Sequence, residues 1–153
     1  LINRLRDIPA GLRMGRCYIP SNSLSEIGMG PTDWLDAGNM GQFKPLFDSC
    51  IDVAESHLDA AVEYIGMLPH SQFRLRGACM LPVLIGQRTL ALLRSGNVLE
   101  PSNRIKVTRD EINDLLRTVA FAVPFAKKSR KLLSEYRDVC GSQAGITAVP
   151  RTA

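Results

Sequence analysis

The residues best suited to chemistry are Asn3, Arg6 and Asp7, three and four positions apart near the start of the chain. That spacing puts all three on one face of a helix. Pro9, which lacks a backbone donor, and Gly11, which tolerates a left-handed exit, are expected to stop that helix. Arg13 and Arg16 follow in the turn, and Tyr18-Ile19-Pro20 closes it. A carboxylate and an amide beside several guanidinium groups suit a magnesium ion with a diphosphate. Mg²⁺ is commonly held by one or two carboxylates plus substrate phosphates, and the arginine fork matches phosphate oxygens. A solvated helix cap with mixed charges is the competing reading, and the residues alone leave both open.

The elements that must position this cluster read as helices. Pro45 is expected to open a helix running to about Met67. Its apolar set, Phe47, Cys50, Ile51, Ala54, Leu58, Ala61, Val62 and Ile65, keeps the three-four alternation of an amphipathic helix. Asp48 and Asp52 have metal-ligand spacing, yet carboxylates flanking a long apolar stripe read better as its solvated edge. Ser71 can cap the next helix, from Gln72 to roughly Arg94. Its middle, GACMLPVLIG, is apolar all round, as in a helix surrounded by others, and Pro82 is expected to kink it. Arg74 and Arg76 near its start read as snorkelling arginines or as cleft residues. Trp34, the single tryptophan, reads as a plug at the edge of the core.

Thr108-Arg109-Asp110-Glu111 forms a capping box for a helix whose buried stripe is Ile112, Leu115, Leu116 and Val119. Pro124 interrupts the pattern, and Leu132, Leu133, Tyr136 and Val139 resume it to Cys140. Lys127, Lys128, Arg130 and Lys131 cluster on this final helix, as a solvated face or as a contact for an anionic membrane surface. No strand, internal repeat or glycine-rich phosphate loop is evident. The expected fold class is therefore all-α, with one domain over residues 1–140 and a mobile tail over 141–153.

Composition narrows the partners. The 153 residues carry a net charge of +4, which fits anionic substrates or an anionic surface. Nucleic acid is not expected, because no module signature or aromatic-interleaved basic stripe occurs. The four cysteines show no paired spacing, and Cys50 and Cys79 fall in apolar helical stretches, so buried thiols in a reducing cytoplasm are expected. The two histidines have no zinc-like spacing with any of them. The uncharged run from Gly77 to Gln87 is about half the ~20 residues that a membrane span requires.

The order N-x-x-R-D, followed ten residues later by G-R-x-Y-[LI]-P, resembles the second acidic motif of the squalene/phytoene synthase family. The likeness covers most of residues 1–118. It extends to P-V-L-I-G-Q-R-T-L-A-L-L-R, similar to that family's penultimate core helix, and to Asn103-Arg104-Ile105-Lys106-Val107, similar to its short connector. The resemblance implies an all-α isoprenoid synthase fold, of which this chain is the C-terminal portion. It also implies a Mg²⁺-dependent prenyltransferase condensing two prenyl diphosphates head to head. Asp7 would be the metal ligand and, with Tyr18, catalytic. Arg6, Arg16 and Arg104 would hold diphosphate, Asn3 and Tyr18 would orient the groups, and Gln87 would lie near the substrate pocket. The family motif usually ends as D-x-x-x-D, whereas Gly11 stands here at the second carboxylate's position.

Two expectations of different class follow. One is a prenyltransferase portion in isoprenoid biosynthesis, inactive as this chain alone. The other is a non-catalytic all-α relative binding a prenyl chain or a partner helix. The location expected is cytoplasmic with peripheral membrane contact. Self-association is expected through an apolar face left uncovered around Pro82.

Overall fold

The structure is a computed structural model and describes residues 1–30, 32–100, 102 and 105–144, the last four by backbone only. Among these residues there are seven α-helices, two single 3₁₀ turns and no strand, so the chain is all-α. The helices are α1 (Ile2–Arg6), α2 (Ile8–Arg13), α3 (Ser21–Glu26), α4 (Met40–Met67), α5 (Phe73–Ser95), α6 (Arg109–Ala122) and α7 (Ala126–Ala144). The chain divides into two compact units. One comprises residues 1–54 and 93–105, the other residues 55–92 and 106–153, so α4 and α5 contribute to both.

The first unit opens differently from the sequence expectation. Pro9 does not stop a helix: it occupies the first turn of α2, where its missing N–H has no intrahelical partner to lose. The break falls at Asp7, whose φ of −96° and ψ of 16° leave the helical region. Gly11 lies buried inside α2, and the left-handed exit belongs to Gly15 at φ +69°. There the Arg16 N–H donates to the Gly11 carbonyl at 2.8 Å and the Gly15 N–H to Leu12 at 2.9 Å. Those two bonds make a Schellman cap, repeated after α3 by Gly28 at φ +67°. This unit's aromatic centre is Trp34, buried against Phe43 with ring centroids 5.0 Å apart, and Phe43 packs in turn on Phe47 at 5.4 Å. Helix α4 begins at Met40, five residues before the expected Pro45, which lies inside it.

The core of the second unit gathers Ile65, Met80, Val83, Leu84, Leu115, Val119, Val123 and Leu133. Helix α6 comes close to α5 at Gly77, where an added Cβ would lie 3.4 Å from Val123 and 3.8 Å from Val119. That approach buries Met80, Val83 and Leu84, while Leu81 and Ile85 are half-buried and Pro82 is exposed. Among the described residues of α6 and α7, Leu116, Phe121 and Val139 are large apolar side chains that stand exposed, although Leu116 and Val139 are expected from the sequence to be buried.

Arg76 is 2% exposed and acts as a strut of this unit, not as a cleft residue. Its Nη1 donates to the carbonyls of Ile65 (2.9 Å) and Leu68 (2.8 Å), at the end of α4, and Nη2 donates to Ser129 Oγ (3.1 Å). A cation at a helix C-terminus meets the carbonyls that the helix leaves unpaired. The Thr108–Glu111 capping box forms as its spacing requires. Glu111 also accepts from Arg88 Nε and Nη2, at 3.0 and 2.8 Å. Helix α7 carries on through residue 141 to Ala144; the remainder of the expected tail, residues 145–153, lies outside the described residues.

Candidate functional site

The break between α1 and α2 and the Schellman turn at Gly15 fold the N-terminal stretch back on itself. A pocket of about 270 Å³ results, lined by Asn3, Arg4, Asp7, Arg16 and Tyr18, with Gly11 among the residues beneath. Gly11 permits this closure. A Cβ there would lie 3.2 Å from the Arg16 carbonyl oxygen and 3.6 Å from the Tyr18 ring, so a side chain would push the turn outward. The Arg4 guanidinium stacks 4.1 Å above the Tyr18 centroid, a cation–π contact that fixes both.

Four of the residues singled out in the sequence, Asn3, Asp7, Arg16 and Tyr18, are thus brought to one pocket. Arg6 is not among its lining residues. Its Nε and Nη2 clasp the two carboxylate oxygens of Asp7 at 2.9 and 3.0 Å, a bidentate pair between chain neighbours. The hydrogen bond to Asp7 raises the Arg6 pKa, partly offset by burial. Arg4 was missed by the sequence reading. Its signal was its place three residues before Asp7, on the same helical face.

Gln87 belongs to the second unit, where it is buried with no partner for its Oε1 among the described residues. Arg104 lies outside the described residues. Asp48 and Asp52 are each paired, with Lys44 and with Arg94 at 2.6 Å, in keeping with a solvated helix edge.

A family model for squalene/phytoene synthase matches residues 1–111. The chain belongs to the squalene/phytoene synthase family. The match takes in the whole pocket, both of its glycine turns and helices α1 to α5. No curated protein and no solved structure matches the chain. Squalene/phytoene synthases are in general metal-dependent, and the pocket can be tested for that. Its donor set is one carboxylate, clasped at both oxygens by Arg6, with a glycine at the family's second acidic position. Among the described residues no group of three or more acidic, histidine or cysteine side chains gathers anywhere. These residues do not fit a resident Mg²⁺, which needs about six oxygens in near-octahedral array. They fit an anion better, since Arg4 and Arg16 outnumber the single, already paired carboxylate.

No helix of the described residues is long and apolar enough to cross a membrane.

Proposed function

We propose that the chain supplies a diphosphate-holding wall of an isoprenoid synthase that condenses two prenyl diphosphates head to head. We further propose that alone it binds the diphosphate group without turning it over. The observation that carries the reading is the convergence of Arg4, Arg16, Asn3 and Tyr18 on one small pocket within the family's motif. Arg4 and Arg16 offset the negative charge of the diphosphate. Asn3 has amide hydrogens to donate, and the Tyr18 hydroxyl has one. The ring of Tyr18 holds Arg4 in place. Gln87 and Arg104 remain substrate-binding proposals of the family resemblance; the buried, unpartnered Oε1 of Gln87 supports its case.

A second reading, a non-catalytic relative that holds a prenyl chain or a partner helix, is favoured by Gly11 and by the Arg6–Asp7 clasp. Ionising an allylic diphosphate requires the developing charge to be stabilised from several sides, and this pocket offers arginines with one engaged carboxylate.

Calorimetry with inorganic pyrophosphate and with farnesyl diphosphate tests both readings. Binding of both ligands is expected, with Arg16→Gln and Arg4→Gln each weakening it about tenfold. Affinity unchanged in both variants would remove the pocket from the reading. Pyrophosphate release above a no-protein blank, lost in Asp7→Ala, would instead make this chain catalytic by itself.

A further inference from the structure

The elbow between α6 and α7 lies beyond the part of the chain that the family model matches, and the diphosphate pocket does not account for it. Phe121 near the end of α6 is 77% exposed, and Phe125 just before α7 is 56% exposed. Beside them runs an apolar groove of about 610 Å³ between the two helices, walled by Phe121 and Ala122 on one side and Leu132, Tyr136 and Val139 on the other. Two exposed phenylalanines near one corner, one of them lining an apolar groove, are unfavourable in water and call for an occupant.

The charges around that corner identify the occupant. From residue 115 to residue 134 the chain holds five cations, Arg117, Lys127, Lys128, Arg130 and Lys131, and no carboxylate. Ser129 and Leu133 turn the inner face of α7 into the core, where Ser129 accepts from Arg76. Lys127, Lys128, Arg130 and Lys131 are consequently all exposed, on the turns that adjoin Phe125. Lys128 Nζ lies 4.6 Å from the Phe125 ring centroid, so a cation and an aromatic share one spot. The nearest acid along the groove, Glu135, is offset by Lys131 at 3.8 Å. A protein partner would be expected to present mixed charges. An anionic lipid surface presents one sign of charge over an apolar interior, which matches aromatic wedges ringed by lysines whose stems can lie along the interface.

We infer that the α6–α7 elbow is an interfacial anchor that seats Phe121 and Phe125 in an anionic lipid surface, with Lys127, Lys128, Arg130 and Lys131 on its headgroups. Binding is peripheral. The site is separate from the diphosphate pocket, so either can fail without the other.

Co-sedimentation of the full chain with vesicles tests it, using phosphatidylcholine alone and phosphatidylcholine with phosphatidylglycerol at roughly three to one. Retention on the anionic vesicles only, weakening as salt rises, is expected. Lys127→Glu with Lys128→Glu should lower the partition coefficient by at least about 25-fold, near fivefold for each cation removed. Phe121→Ser with Phe125→Ser should weaken retention at low salt while helix content by circular dichroism stays unchanged, since both rings are exposed. Equal retention on neutral and anionic vesicles, or retention indifferent to both pairs of substitutions, would overturn the inference. So would a concentration-dependent dimer abolished by Phe121→Ser in a chain that ignores vesicles, which would assign the groove to a second copy.

Discussion

Gly11 is held to glycine by the turn that follows it, because its missing Cβ is where the Arg16 carbonyl and Tyr18 ring close the pocket. In an ordinary helix interior, alanine in place of glycine stabilises by roughly 0.5–1 kcal/mol. Here the 3.2 Å approach to a backbone oxygen reverses the sign, and Gly11→Ala is expected to destabilise by about 1 kcal/mol in urea unfolding. Gly11→Asp, which recreates the family's acidic spacing, should displace the turn and weaken pyrophosphate binding in the presence of Mg²⁺ as well as in its absence. Tighter binding with Mg²⁺ in that variant would mean that the turn yields and a metal site forms. Much of this pocket was legible in the sequence, since Asn3, Asp7, Arg16 and Tyr18 are named by motif and spacing. What spacing could not give was side-chain direction. Arg6 turns onto its neighbour Asp7, and Arg4 takes the place over Tyr18, because the helix breaks at Asp7 and the turn at Gly15 brings distant residues back.

Helix α6 shows how a local signal becomes a tertiary one. The sequence gives the capping box, since Thr and Glu three apart satisfy each other's backbone donors wherever they occur. It does not give Arg88, which reaches Glu111 from α5 across 23 positions of sequence. Burial pushes the Glu111 pKa up, but hydrogen bonds from Thr108 and Arg88 outweigh it and leave the carboxyl below its usual value. A carboxyl depressed in the folded state contributes stability above its unfolded pKa of about 4.3, and that contribution fades as pH falls through the lower folded value. The wild-type chain should therefore lose stability below about pH 4, and Glu111→Gln should flatten that part of the curve while costing roughly 2 kcal/mol at neutral pH. Thermal unfolding between pH 3 and pH 7 measures both, and parallel curves for the two proteins would detach Glu111 from the acid transition. Prolines were read less well than caps. Pro9 and Pro45 are expected boundaries, yet one sits in a first turn and the other inside α4. Pro9 loses no hydrogen bond in that position, and at Pro45 the surrounding packing outweighs the one that is lost.

At the scale of the whole chain, the two units carry separate centres: the Trp34–Phe43–Phe47 stack in one, and the Met80–Leu84–Val119 cluster in the other. Hydrophobic periodicity announced the helices that build both, but not their division, because α4 and α5 each run unbroken through the boundary. The division suggests a selective way to loosen the molecule. Arg76 is almost fully buried in the second unit and joins the end of α4 to Ser129 on α7 through three hydrogen bonds. Arg76→Met keeps the aliphatic stem and removes those donors; the Ile65 carbonyl keeps the Leu68 N–H and the Ser129 hydroxyl keeps the Ala126 carbonyl, but three bonds from a cation are lost. The expected cost is about 2–4 kcal/mol, all of it in that unit. Trp34 is the single tryptophan and lies in the other unit, so its emission reports a region without Arg76. Amide exchange in α6 and α7 should accelerate strongly in Arg76→Met while the Trp34 emission maximum stays at its wild-type value under native conditions. A red-shifted Trp34 in the variant, or exchange raised equally in α2 and α6, would show that the units open together and that Arg76 braces the entire chain.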